Sequence, residues 1–321
     1  MRNSLQKTFG ALGCWICMIV LVSTVRTASA VQVSYLYNLA NFNGTVPFTW
    51  VKVLLDEKAE EVYVVDVSTL SVKIFNKSGM EVYEFGLEGF GPVSDIAIDE
   101  AGNILLLSPG QRAKGYSLVR CNYRGEAVST IEVKNLPQGL SSSFFPDMIL
   151  YRTGRIYLVD RPSMQVVVTD AQGLFETHYD LAAILKIDTK NKMNMDIVGF
   201  SVDKDGNLLF TIPAIFTAYI VSPDRQARNF GTRGSTPGKF NIVAGITSDD
   251  KGNYYVVDTL RCVVMIFDSN FVFKTEFGYR GNGPGNLTGP RDLAVGNNGM
   301  LYVTQLARKG VSIFSITDIA K

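Results

Sequence analysis

One motif recurs along the chain, and its recurrence limits the fold more than any other feature. The clearest copy spans residues 240–278, FNIVAGITSDDKGNYYVVDTLRCVVMIFDSNFVFKTEFG. Residues 246–248 read as a short apolar strand, followed by the polar turn SDDKGN, in which Gly252 supplies the positive φ that such a turn needs. Residues 254–257 read as a second strand, rich in aromatic and β-branched side chains. After the loop DTLR, residues 262–267 form a third strand, and after DSN the run FVFKTEF forms a fourth. The second and third runs are apolar almost throughout, which means that both of their faces are covered. A single four-stranded meander cannot cover both its own faces, so it needs copies of itself on either side.

The copies exist. Equivalents of the second strand begin at Val62, Ile104, Ile156, Leu208, Tyr254 and Leu301, at spacings of 42, 52, 52, 46 and 47 residues. These are the lengths of propeller blades. The expected fold is all-β: a six-bladed β-propeller of four-stranded antiparallel blades. The last unit, from Arg291 on, has three strands, while VQVSYLYNLANF at residues 31–42 supplies a strand with no blade of its own. Residues 33–40 are therefore expected to pair with residues 311–316 and close the ring, removing the open edges of a linear stack.

The lead-in FGTRGSTPGKF followed by GITSDDKGNYYVVD, and the later GYRGNGPGNLTGP, resemble the NHL repeat, and the likeness runs through nearly the whole of residues 31–321. It implies the propeller fold. It does not imply one role, since function lies in sites carried by a fold. The chain departs from the family pattern after the YVVD-type aspartate. Where NHL repeats usually have Asn and Arg, it has Thr69 and Ser71, Ser163 and Gln165, and Arg261 and Val263.

Residues 1–30 have the layout of a bacterial-type signal peptide: Arg2 and Lys7, then GALGCWICMIVLVSTV, then Ala28-Ser29-Ala30 as cleavage site. The expectation is an exported protein, periplasmic or secreted, that meets the membrane only through this leader. Beyond the leader 28 basic residues stand against 30 acidic ones, a balance that gives no electrostatic footprint for nucleic acid. Of four cysteines two remain, Cys121 and Cys262, in blades on opposite sides of the ring. They are too far apart for a disulfide and are expected to be buried thiols.

Innermost strands line the axis of a propeller. Aligned on the residue before the first strand, the units present Lys52, Asp95, Asp147, Gly199, Gly245 and Asp292. The expected result is a polar mouth, acidic on one side and open at the glycines. Two readings follow. Asp95, Asp147 and Asp292 could ligate Ca²⁺ or another divalent cation, since clustered carboxylates suit hard ions. Alternatively the channel is water-filled and Lys52 neutralises its neighbours.

Two long connections, residues 133–147 and 180–196, leave on one rim, and LAAILK in the second is expected to form one or two helical turns. Insertions on one face of a repeat protein mark its binding face. Phe48, Trp50, Phe90, Phe144 and Phe145 lead into blades on that rim, with PAIFTAY bridging strands in the fourth unit. Beside Arg112, Lys114, Arg291 and Arg308 they have the composition of a protein-binding patch. The Gly-rich loops lack the GK[ST] ending of a phosphate-binding loop. The one histidine, His178, falls on an outermost strand and is expected at the surface. It cannot supply the several zinc ligands of the amidating-lyase members that the resemblance also covers. The sequons at Asn43, Asn76 and Asn286 are read as turn residues.

The expected function is a scaffold that binds a protein partner or ligand through the insertion-bearing rim, within an envelope or extracellular complex. The alternative is a metal-dependent hydrolase or lyase, lactonase-like or amidating-lyase-like, with a cation on the axis.

Overall fold

The fold is seen in a computed structural model that describes residues 30–39, 51–66, 71–111, 115–188, 192, 195–307 and 309–319. Residues 1–29, on which the expected signal peptide falls, and Asn43, Phe48, Trp50, Thr69, Arg112, Lys114 and Arg308 lie outside the described residues.

Six four-stranded antiparallel sheets make a β-propeller. Blade I consists of Val51–Asp56, Glu61–Asp66, Ser71–Asn76 and Glu81–Gly86, innermost first. Blade II is Asp95–Ile98, Ile104–Gln111, Gly115–Cys121 and Ala127–Ile131, and blade III is Met148–Arg152, Arg155–Asp160, Gln165–Asp170 and Phe175–Asp180. Blade IV is Phe200–Val202, Leu208–Ile212, Thr217–Val221 and Ala227–Phe230, and blade V is Val243–Ser248, Tyr254–Asp258, Val263–Phe267 and Phe273–Gly278. Blade VI takes Leu293–Val295, Met300–Thr304 and Val311–Ile319 from the end of the chain and Ala30–Asn38 from its beginning.

Blade V differs from its sequence reading in detail. Its first strand starts at Val243, with a register shift between Val243 and Ile246. Its third starts at Val263, because Cys262 has a φ of 57° and finishes the preceding loop. The outermost strand starts at Phe273, because Phe271 sits in the turn with a φ of 64°.

In blades I, II, III and V the turns between third and fourth strands share one device. Asn76, Asn122, Asp170 and Asp268 each accept, on one side-chain oxygen, the N–H groups two and four residues on. The third residue after each of them has positive φ: Gly79, Gly125, Gly173 and Phe271. The ladder slips register beside each turn, as in a bulge with one left-handed residue. Asn76 is thus a turn residue. Asn286 is too, its amide donating to the Gly278 carbonyl at 3.0 Å.

The apolar runs are explained by the interfaces. Alternate residues of one strand point to opposite neighbours. In blade II, Ile104 and Leu106 pack with Tyr63, Val72 and Ile74 of blade I. Leu105 and Leu107 pack with Ile149, Ile156 and Leu158 of blade III. The same division repeats at the other boundaries, so that each adjacent pair of blades shares one apolar cluster. Each large side chain buried there is worth roughly 1.5–3 kcal/mol.

The ring closes as the sequence predicted. Val33 lies opposite Ile316 and Tyr35 opposite Phe314 in an antiparallel pair; Ala40 falls outside the described residues. A polar chain secures the joint. Gln305 Nε2 donates to Ser312 Oγ at 2.5 Å, and Ser312 Oγ donates to Asn38 Oδ1 at 2.6 Å. Cys121 in blade II and the residue Cys262 in blade V are buried free thiols.

Candidate functional site

The six aligned positions meet. Lys52, Asp95, Asp147, Gly199, Gly245 and Asp292 all line one cavity of about 430 Å³. They do so because each lies at or near the start of an innermost strand, where the chain returns from the rim to the axis. Val65 and Arg161 join them from the ends of second strands, and Arg291 from beside Asp292. Starts of first strands and ends of second strands share one face. The two long connections reach that face as well. One contains the helical turn Gln138–Ser141 and the other Leu181–Ile184, which Asp180 caps by accepting from the Ala183 N–H at 2.9 Å.

Lys52 is the central cross-link. Its Nζ donates to both Asp95 oxygens at 2.7 and 2.8 Å, to the Ile96 carbonyl at 3.0 Å and to the Ile149 carbonyl at 3.3 Å. Asp95 Oδ2 also accepts the Ile149 N–H at 2.8 Å. One ammonium and one carboxylate thus tie blades I, II and III together. Asp147 is held by Arg161, whose Nε and Nη2 lie 2.9 and 2.7 Å from its Oδ2. Burial works against the Arg161 charge, but the hydrogen bond to Asp147 and the charges of Asp147 and Asp196 raise its pKa above the ordinary value.

The glycines do not leave an opening. A Cβ on Gly199 would stand 2.3 Å from the Ala244 carbonyl oxygen, and one on Gly245 would stand 2.7 Å from Leu293 Cδ2 and 2.9 Å from the Arg291 carbonyl oxygen. The bare backbones let the inner strands of blades IV, V and VI touch. Gly245 N–H donates to the Arg291 carbonyl at 2.8 Å, and the Thr211 hydroxyl donates to the Ala244 carbonyl at 2.5 Å.

Asp292 is held differently from the other two carboxylates. Its Oδ2 accepts the Val53 N–H at 3.4 Å, which joins blade VI to blade I. Burial pushes its pKa up to about 6, against the opposing pull of the Lys52 charge and of the Leu293 and Val53 N–H groups. Burial raises the Asp196 carboxyl too, and lowers the Arg291 guanidinium. Among the described residues, no three of His, Cys, Asp or Glu are grouped so as to hold a metal ion.

On the rim, Phe145 is exposed while its neighbour Phe144 is buried edge-on against Tyr116, with ring centroids 6.0 Å apart. Phe90 is half-buried at the boundary of blades I and II. Phe216 carries the Arg233 guanidinium over its ring at 5.0 Å. His178 is half-buried rather than exposed: its strand lies along blade IV, and Arg225 donates to its carbonyl at 3.2 Å.

Sequence reasoning missed Arg161 and Asp196, and it gave no role to the strand-end acids. In blades III and V the aspartate at the YVVD-type strand end lashes the incoming chain to the rim. Asp160 accepts the Phe145 and Ser163 N–H groups, each at 3.0 Å. Asp258 accepts those of Asn241 at 2.6 Å and Arg261 at 3.0 Å. In blade VI Gln305 takes over, accepting the Thr288 N–H at 2.8 Å. The usable signal for Arg161 was a cation directly after such an aspartate, at the same level as Asp147.

No family model and no curated protein matches this chain. Solved structures do. A streptogramin B lyase superposes with a TM-score of 0.58 at 10% identity, over 89% of this chain and 98% of that one. A virginiamycin B lyase from Staphylococcus aureus, in a catalytically inactive histidine-to-alanine form with quinupristin, gives 0.56 at 12%, over 90% of this chain and 100% of that one. A gluconolactonase from Xanthomonas campestris gives 0.57 at 13%, over 89% and 90%. At these identities the likeness is one of fold.

Proposed function

We propose that this chain is an exported binding module. It takes a ligand or a protein partner into the axial cavity and onto the insertion-bearing rim around it, and performs no chemistry of its own. The observation that carries this reading is the state of the cavity wall. Two of its three carboxylates are committed to protein cations, Asp95 to Lys52 and Asp147 to Arg161. Groups neutralised in this way hold a shape and present a fixed pattern of polar atoms, as binding cavities of this size do. Phe145 stands exposed on the same rim and supplies an apolar anchor for a protein surface. The leader at residues 1–30 supports export, and the lead-ins to blades V and VI support reading the repeats as NHL repeats.

The second reading is a hydrolase or lyase with an axial cation, favoured by the propellers just compared, which are lyases and a gluconolactonase. A divalent ion seeks six or more oxygen ligands. Here Asp95 and Asp147 would each have to surrender a cation first, so these residues do not fit a metal centre as they stand. The histidine on which the S. aureus lyase depends for activity has no counterpart at this cavity: the one histidine here is His178, on an outermost strand.

The two readings part in one experiment. Tagged protein is used to capture partners from an envelope extract, alongside Phe145→Ala and Arg291→Ala, and the purified protein is assayed for lactone hydrolysis with and without Ca²⁺ and Mg²⁺. One stable partner that both variants lose supports the binding module. Metal-dependent turnover overturns it.

A further inference from the structure

We infer that the group received by the axial cavity is an alkylammonium, seated against the Asp292 carboxylate. The inference rests on the binding reading above and specifies its chemistry. Three aspartates line the cavity, and two form ion pairs with protein side chains. Among the described residues, Asp292 has no ion-pair partner; its bonds are to backbone N–H groups. The charged groups that bear on it are Lys52 in blade I and Asp95 in blade II, and these two neutralise each other. Arg291 lines the same cavity from the preceding position, and the Arg161–Asp147 pair closes the blade III side. Taken together, the wall presents one carboxylate whose charge nothing in direct contact balances.

A half-buried carboxylate with no cation in contact still pays for lost solvation, and it lowers that cost by holding a proton. The carboxyl pushed up to about 6 is that cost expressed. A primary ammonium would restore the charge and bring three donors for the oxygens around it. It also suits the site better than a metal ion, because one free carboxylate is too few oxygens for Ca²⁺ or Mg²⁺. The cavity, at about 430 Å³, has room for a small amine or for a lysine side chain of a partner.

The two sources are separated by the probes: n-butylammonium for a free amine, and Nα-acetyl-lysine methylamide for a lysine of a protein. Butyrate serves as the anionic control. Titration calorimetry on the purified protein at pH 7.5 should show binding of both ammonium probes and none of butyrate. A lysine probe at least tenfold tighter assigns the site to a protein partner, and the reverse order assigns it to a small amine. At pH 5.0, with Asp292 about one-tenth ionised, affinity should fall about tenfold. Asp292→Asn should lose at least tenfold at pH 7.5 and lose the pH dependence. Should that variant fail to fold, carbon NMR of the wild-type side chain serves instead: the Asp292 titration should move to lower pH when butylammonium is added. Butyrate binding in preference, ammonium binding indifferent to Asp292, or an unmoved titration overturns the inference. None of these would touch the binding reading, which stands or falls on the capture experiment.

Discussion

Lys52 and Asp95 face each other across the boundary of blades I and II at 2.7 and 2.8 Å, while the same ammonium also reaches the Ile149 carbonyl of blade III. The pair is partly open to solvent, with side chains 25% and 11% exposed. Lys52→Met should therefore cost about 2–3 kcal/mol, less than a fully buried pair would, chiefly by stranding the Asp95 charge. Urea unfolding at pH 7.5 measures it. The double variant with Asp95→Asn should lose less than the two single losses added, since the stranded charge is gone.

Asp292 makes stability depend on pH in a direction opposite to that of most carboxylates. Its folded pKa is about 6 against an ordinary value of 3.8, so between these values the folded chain holds a proton that the unfolded chain has released. Stability therefore falls as pH rises through this window, and the loss is complete above it. Asp292→Asn should stabilise the protein by about 2–3 kcal/mol at pH 7.5 and hardly at all at pH 4. Denaturant melts at the two pH values decide. A variant no more stable at pH 7.5 than the wild type would refute the burial argument.

Gly199 and Gly245 should tolerate no side chain. An alanine Cβ at Gly199 would meet backbone at 2.3 Å, which only a shift of whole strands can relieve. Gly199→Ala should cost about 2–3 kcal/mol or block folding. Gly139→Ala is the control: it lies in the helical turn Gln138–Ser141 with nothing within 4 Å of the new Cβ, and should be neutral or slightly stabilising. Thermal melts of both variants test the contrast.

Ser312→Ala breaks the chain from Gln305 through Ser312 to Asn38 and leaves a buried amide short of its acceptor. The expected cost is about 1–3 kcal/mol. A protein lacking residues 1–38 should lose its cooperative melt and regain it when a peptide of residues 30–39 is supplied. A truncated chain that melts as the whole one does would mean that the amino-terminal strand is dispensable.

Cys121 and Cys262 should be silent to a thiol reagent in the folded protein and react only on unfolding. Both are buried and so closed to the reagent; burial also pushes the Cys121 thiol up to about 11, so that residue holds almost no thiolate at neutral pH. Labelling by Ellman's reagent with and without urea reads this directly.

The architecture was legible because it is periodic. Strand order, blade number and the pairing of Val33 with Ile316 follow from counting repeats. The axial ring was legible for the same reason: equal places in equal units come to equal heights on the axis, so Lys52, Asp95, Asp147 and Asp292 converge. What the repeat does not encode was missed. The partner of Asp147 comes from the end of a different strand, in a unit whose equivalents carry no arginine there, so no periodicity announces Arg161. The glycines suggested an opening because a missing side chain looks like space in a sequence. In the fold the space is taken by the neighbouring backbone. His178 was placed on the correct strand, but the burial of an outermost strand depends on how far the next blade overlaps it, which spacing does not tell.

The seam between the two ends of the chain joins Asn38 to Ser312, 274 residues apart. A ribosome delivers the first of these long before the second. Until Val311–Ile319 emerges, the strand Ala30–Asn38 has no hydrogen-bonding edge to lie against, and the circle stays unsealed however many intermediate sheets have formed. Contacts this remote along a polypeptide are slow to find one another. The last stitch of the ring therefore waits for its final strand, and the circle seals only when both ends of the sheet are present.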